Sequence, residues 1–262
     1  MKDKVVLITG VSSGIGKAIA QLYADKGAHL VLASRNLEAL EKLASALKEK
    51  TSEVLIVQTD IANSDDCKKL VSETISIYGR IDLLINNAGI SQRSLTMDTN
   101  IDVYKTIMDV NYFGTIEITK LVLNSMISKG GGQIAVISSV VGKFGFPFRS
   151  GYSASKHALH GFFDSLRAEV SDKHIDITII CPGRIQTNIS VNAVTEDGSK
   201  HNKMDKGTAE GMAVEKCASL IVKAITAKKK EVIIAGNEKH LVWLRKFIPG
   251  IYYKLVARVK SV

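Results

Sequence analysis

An apolar run at residues 5–8 passes straight into Thr9-Gly10-Val11-Ser12-Ser13-Gly14-Ile15-Gly16, after which the pattern turns helical over 17–26. That order predicts strand, turn and helix, and it narrows the admissible folds more than any other segment. Glycines let a backbone come close to a pyrophosphate, and the free amides and dipole of a helix N-terminus attract its charge. Gly10, Ser12, Ser13, Gly14, Ile15 and Gly16 are therefore candidates for holding a dinucleotide. Three residues rather than one separate the first two glycines, a departure from the commonest dinucleotide fingerprint. A glycine-rich turn without a ligand is the plainer alternative.

The alternation of apolar and amphipathic stretches continues along the chain, as parallel strands with crossover helices require. Strands are expected near 5–9, 29–34, 53–59, 83–86, 133–138, 176–181 and 231–235, and helices near 15–26, 37–50, 64–78, 100–128, 151–172 and 214–227. Seven strands with helices on both faces make one doubly wound α/β domain of Rossmann type over 1–262, with ligands outside the carboxyl ends of the strands. A chain of 262 residues and 28.4 kDa fits a single domain of this kind. Two stretches break the alternation. Residues 143–150 carry Phe144, Phe146 and Phe148, either an apolar wall or plain core packing. Residues 184–211 are polar and without period, the composition of a loop that closes over a substrate.

Ser139, Tyr152 and Lys156 follow the fifth expected strand. Residues four apart on a helix share a face, so the Tyr and Lys side chains point into one space. An ammonium beside a phenol favours the phenolate and lowers its pKa from about 10. Such a Tyr can give or take a proton near neutral pH.

These features stand in a fixed order with Asp60-Ile61, Asn86-Asn87-Ala88-Gly89, Asn111 and Pro182-Gly183 with Thr187. The ordered set resembles the short-chain dehydrogenase/reductase family, over nearly the whole chain. The resemblance implies roles. Tyr152 is the acid that protonates a carbonyl oxygen, or the base in reverse, and Ser139 hydrogen-bonds the same oxygen. Lys156 tunes Tyr152 and holds the nicotinamide ribose, and Asn111 kinks its helix and supports a water relay to Lys156. Thr187 and the backbone of Ile185 fix the carboxamide, beside Pro182 and Gly183. Asp60 and Ile61 border the adenine, with a strand-end cap as the alternative for Asp60, and Asn87, Ala88 and Gly89 border the adenosine ribose. The Tyr–Lys spacing disfavours the enoyl reductases of this fold, and the chain lacks the longer substrate domain of its lyases and epimerases.

NAD enzymes of this architecture place an acid at the end of the second strand. Here Ser34-Arg35-Asn36 supply none, and a guanidinium pairs bidentately with a 2′-phosphate. NADP(H) is the expected cofactor, although Ser13, at a position sometimes basic in NADP enzymes, gives no second signal.

The net charge of +9 is uneven. Residues 239–262 hold Lys239, Arg245, Lys246, Lys254, Arg258 and Lys260 with no acid, interleaved with Trp243, Phe247, Tyr252, Tyr253 and aliphatic residues. Pro249-Gly250 breaks this extension (237–262) into two short amphipathic pieces, which suit a peripheral membrane contact, a lid over an apolar pocket, or a subunit contact. No recognition module accompanies the charge, so nucleic acid is not an expected partner.

No run approaches the roughly 18 apolar residues of a membrane-spanning helix. A strand so soon after Met1 is expected to leave no room for a signal or transit peptide, which with three scattered cysteines (Cys67, Cys181, Cys217) points to the cytoplasm. The cysteines form no pair of metal spacing, and His157 and His160, on one helix, have no acidic or Cys companions nearby and read as surface or packing residues, so no metal is expected.

The residues over 187–230 resemble the seven-B-like branch of the family, which implies lipid-type ketones such as acyl-dihydroxyacetone phosphate; a steroid, retinoid or other bulky carbonyl fits the Phe-rich loop equally. The expected activity is NADP(H)-dependent interconversion of a ketone and a secondary alcohol. The alternative is a catalytically idle NADP(H)-binding regulator. Ala154, Ala158, Gly161, Phe162 and Phe163, beyond what the sheet needs, predict pairing into a homodimer or homotetramer.

Overall fold

The computed structural model describes residues 1–51 and 53–259. Seven strands form one parallel sheet in the order β3-β2-β1-β4-β5-β6-β7. They are β1 (Val5–Thr9), β2 (His29–Ser34), β3 (Val54–Gln58), β4 (Leu83–Asn86), β5 (Gly132–Ile137), β6 (Ile175–Pro182) and β7 (Glu231–Ile234). The expected strands all form, within two residues at their ends.

Side chains alternate across each strand, so every strand feeds two cores. Val6 and Ile8 face α1 (Gly14–Ala24), α2 (Leu37–Leu47) and α8 (Val214–Thr226), while Val5 and Leu7 face α3 (Ser64–Tyr78), α5 (Gly114–Ser128) and α6 (Ser150–Glu169). Local chemistry sets the helix ends. Asn36 caps α2 by accepting from the Ala39 amide at 2.9 Å, Asn63 caps α3 in the same way, and Gly79 ends α3 with φ of 68°.

The helix expected over 100–128 is interrupted. It runs as α4 (Ile101–Met108), a π turn over Asp109–Phe113, and α5. Asn111 sits in the π turn and turns its amide inward, accepting from the Ile90 amide at 2.8 Å and donating to the Ile90 carbonyl at 2.9 Å. Single π turns of this kind concentrate at functional sites. Phe163, expected at a subunit face, is instead fully buried against the sheet.

A short helix α7 (Lys206–Ala209) and two C-terminal helices, α9 (Lys239–Phe247) and α10 (Pro249–Val256), complete the set. The last two are the pieces expected on either side of Pro249; Lys260 lies outside the described residues. A third, smaller core joins Tyr252 to Val140, Val141 and Phe144.

Candidate active site

The sheet order reverses between β1 and β4, and a cleft opens there beyond the strand ends, the switch point at which doubly wound sheets bind ligands. Asn87 laces the two strands together. Its side-chain amide donates to the Thr9 and Gly10 carbonyls at 3.0 and 2.9 Å, and Thr9 Oγ1 accepts from the Asn87 and Ala88 amides. The cleft holds about 650 Å³ and is lined by every expected cofactor residue except Gly16.

The glycine turn is shaped for a phosphate. Gly10 has φ of 71° and so close an approach to Ala88 that a Cβ would stand 2.7 Å from its Cα; Gly14 has φ of 59° and faces Thr187. Ser13 leaves the first amides of α1 without a side-chain cap, and no acid occupies the first turn. A dinucleotide's pyrophosphate fits this cradle. Gly16 serves packing instead, since a Cβ there would run into Asn87 Nδ2 and stand 2.5 Å from the Gly10 carbonyl oxygen. Gly16→Ala should therefore weaken dinucleotide binding at least about tenfold and cost roughly 1–3 kcal/mol of stability. Isothermal titration and denaturant unfolding read the two effects, and unchanged values in both would contradict this packing.

At the end of the cleft beside β2, Arg35 is exposed and Ser34 buried, while Gln58 donates to the Arg35 carbonyl at 2.9 Å. No Asp or Glu follows Ser34. Asp60 lines the cleft and also accepts from the Ala62 amide at 3.0 Å, so the strand-end cap and the cleft position coexist.

At the other end Ser139, Tyr152 and Lys156 come together between β5 and α6. Ser139 Oγ accepts from the Val141 amide at 3.3 Å. Lys156 is buried, and its Nζ donates to the Ile137 carbonyl at 2.9 Å and lies 5.8 Å from the Tyr152 ring centre. Burial brings the ammonium down to about 8. The Tyr152 phenol is raised by its own burial, which outweighs the Ser139 hydroxyl and the Arg93 and Arg149 guanidiniums. This differs from the expected Lys-depressed phenol: the ammonium donates to a backbone carbonyl, and the cations that lower the phenol are arginines. Asn111 does not line the cleft. It lies behind Gly89, donating to Ser155 Oγ at 3.0 Å, and a Cβ on Gly89 would meet Asn111 Oδ1 and Lys156 Nζ at 3.0 and 3.4 Å.

A second cavity of about 110 Å³ shares Ser139 and Tyr152 with the cleft and is walled by Val140, Phe144, Phe146, Ile189 and Leu241. Phe144 and Phe146 thus act as wall and core at once, whereas Phe148 lies off the cavity with φ of 63°. The charged part of the wall comes from Arg184, which pairs with Glu238, and from Arg93 and Arg149, which share one carboxylate. Asp205 Oδ2 accepts from Arg93 Nε at 2.8 Å and from Arg149 Nη2 at 3.1 Å, and Arg93 and Asp205 are almost wholly buried. Asp205 belongs to the 184–211 stretch, whose Val194 also exchanges backbone hydrogen bonds with Ser91 and Arg93. The stretch is therefore pinned over the cavity.

The short chain dehydrogenase family model matches residues 4–198. The chain is a short-chain dehydrogenase/reductase. Dehydrogenase/reductase SDR family member 7B of Bos taurus is 44% identical across 98% of this chain and 81% of its own length, and that of Xenopus laevis is 44% identical across 100% and 83%. The expected likeness to the seven-B-like branch is thereby borne out. A short-chain dehydrogenase/reductase of Burkholderia phymatum, solved with NAD, superposes with a TM-score of 0.86 at 23% identity, covering 95% of each chain, and shows the shared fold. The family consists of oxidoreductases that use nicotinamide cofactors.

Sequence reasoning missed the arginine wall of this dehydrogenase/reductase. Arg93, Arg149 and Asp205 are far apart in sequence and belong to no spacing motif; an Arg directly before the Tyr-bearing helix was the one available hint. It also missed the companions of His160, which was expected to have no Cys or acid nearby: Nε2 lies 3.0 Å from Ser138 Oγ and 3.8 Å from the buried Cys181 Sγ, while Nδ1 lies 3.5 Å from the exposed Glu231. One ligand-type atom from each of His160, Cys181 and Glu231 lies within 4.8 Å of the others, and the exposed Glu231 also pairs with Lys143. Among the described residues no helix is long and apolar enough to cross a membrane.

Lys156 carries a stability cost with a defined pH window. Its folded pKa of about 8 lies below the usual 10.5, so the unfolded chain binds more protons between those values and this group's penalty fades as pH rises through them. At neutral pH the penalty is on the order of 3 kcal/mol, partly offset by the bond to Ile137. Lys156→Met is expected to unfold at higher denaturant than the wild type at pH 7, with the difference shrinking toward pH 10; equal midpoints throughout would contradict the buried ammonium.

Proposed function

We propose that this chain is an NADP(H)-dependent oxidoreductase interconverting a ketone and a secondary alcohol on a hydrophobic, lipid-type substrate. The observation that carries the reading is the meeting of Ser139, Tyr152 and Lys156 where the dinucleotide cleft joins the apolar second cavity. The nicotinamide supplies the hydride when bound. Tyr152 donates the proton to the carbonyl oxygen in reduction, and its raised pKa keeps that proton available at neutral pH. Ser139 steadies the charge that develops on the oxygen. Lys156 and Thr187 orient the ribose and carboxamide, and Asn111 fixes the backbone that carries Gly89 and Ile90. The whole chain acts as one dinucleotide-binding and catalytic unit, with 184–211 as its substrate loop.

Arg35 supports the 2′-phosphate reading, because it is exposed at the adenosine end with no acid beside it. Arg35→Asp should lower NADPH affinity roughly ten- to a hundredfold and turn preference toward NADH. Unchanged selectivity in paired titrations would remove NADP(H) from the reading.

The second cavity has room for the reacting head of a substrate rather than for a whole acyl chain. Three guanidiniums (Arg93, Arg149 and Arg184) against two carboxylates (Asp205 and Glu238) leave that wall with one net positive charge, and Arg149 Nη1 is buried without a hydrogen-bond partner. This favours a ketone with an anionic group over a steroid or retinoid. The deciding assay is NADPH oxidation across a ketone panel that includes acyl-dihydroxyacetone phosphate. Turnover of one class supports the reading; NADPH binding without turnover anywhere would transfer it to the regulator alternative.

For assembly, a homodimer through α6 and the π turn fits best. Ala154, Gly161 and Phe113 are exposed there, beside a half-buried Phe162.

A further inference from the structure

We propose that α9 and α10 form a two-faced roof over the substrate cavity, and that the outer face docks on an anionic membrane surface. The inner face is part of the core. Tyr252 is buried against Phe144, with ring centres 5.8 Å apart, and its hydroxyl donates to the Gly145 carbonyl. Leu241, Val242 and Leu244 pack on the same cluster, and Leu241 lines the cavity beside Tyr152.

The outer face has no such partner. Sixteen large hydrophobic residues are exposed among the described residues, and six of them fall between positions 243 and 255: Trp243, Phe247, Ile248, Ile251, Tyr253 and Leu255. Hydrophobic residues exposed singly are ordinary on soluble proteins, but a cluster this dense marks an interaction surface. The cations are interleaved with it. Arg245 lies over the Tyr253 ring at 5.4 Å and Lys246 over Phe247 at 5.2 Å, while Trp243 and Phe247 stack with ring centres 4.5 Å apart. Lys239, Lys254 and Arg258 are exposed too, and no acid occurs from residue 239 onward.

Charge decides the occupant. A second copy placed on this face by a two-fold axis would set cations against cations with no acid to receive them. Anionic headgroups are complementary to the cations, and the headgroup–acyl boundary accepts the aromatic and aliphatic side chains between them. Resting on the lipid-ketone reading of the same site, the docked roof places the cavity at the bilayer, so that a substrate leaves the membrane beneath α9 and reaches Tyr152 without crossing bulk water.

Trp243 is the only tryptophan of the chain, so its fluorescence reports on this face alone. The full chain is mixed with vesicles of phosphatidylcholine, or of phosphatidylcholine with phosphatidylserine. The expected result is co-sedimentation with the mixed vesicles, on the order of a hundredfold tighter than with phosphatidylcholine alone and weakened by salt, with a blue shift of the Trp243 emission. Phe247→Ser with Ile251→Ser, both outward-facing, should lower binding at least about tenfold without moving the unfolding midpoint. Absent sedimentation, binding with unchanged Trp243 emission, or full binding by the double variant would each overturn the proposal. So would a concentration-dependent dimer that the double variant abolishes while vesicles go unbound, which would give the face to a second copy. Tyr152→Phe must bind vesicles like the wild type. Failure of docking thus leaves ketone turnover intact, and failure of the reductase reading leaves docking intact.

Discussion

Tyr152→Phe is expected to lower ketone reduction by about two to four orders of magnitude while changing NADPH affinity by no more than a few fold. The phenylalanine keeps the ring that fills the junction of the two cavities and removes only the hydroxyl that faces Ser139. Proton delivery is lost and the dinucleotide cleft is untouched. The pH dependence adds a second mark. Burial raises the phenol, so the protonated acid persists through neutral pH and reduction should be level there. Alcohol oxidation needs the phenolate and should climb as pH rises into the alkaline range. Single-turnover reduction by the variant at the wild-type rate would take the proton donor away from Tyr152.

Asp205→Ala should cost about 3–5 kcal/mol, the range for breaking a buried ion pair from one side. Arg93 and Arg149 would then stand in the cavity wall with no counter-charge. Burial already holds Arg149 down to about 10, with Arg93 as the like charge beside it. Because Asp205 also fastens the 184–211 stretch, part of the cost should surface as local opening, read as faster proteolysis between residues 188 and 210. Denaturant unfolding measures the global share. Replacing the triad together, Arg93→Met with Arg149→Met and Asp205→Leu, should recover much of the stability, since the penalty lies in unpaired charge rather than lost packing. The recovered protein should still raise KM for an anionic ketone. A single Asp205→Ala variant with wild-type stability and protection would show that the latch contributes nothing.

Elements governed by local pattern are legible in the sequence. The apolar periods placed seven strands, and Val5–Thr9 followed by Gly10 and Gly14 located the cradle, because backbone freedom and helix dipole are properties of adjacent residues. Tyr152 and Lys156 were legible for the same reason, being one helical turn apart. The break in the long helix was less so: the kink at Asn111 was expected, but its form as a π turn depends on Ile90, twenty-one residues away. Period alone does not say which of two apolar neighbours, Phe162 or Phe163, faces the sheet; only packing shows that it is Phe163.

By itself, then, the sequence determined the parallel sheet, the place of the cleft and the side chains that surround its reacting end, since each follows from short-range order along the chain. Only the tertiary structure decided how those side chains are charged and closed in. Lys156 spends its ammonium on the Ile137 carbonyl, Tyr152 faces two arginines, and Asp205 reaches both across more than fifty residues of chain. Electrostatic environment is a sum over neighbours in space, and folding brings those neighbours from positions that no sequence spacing relates.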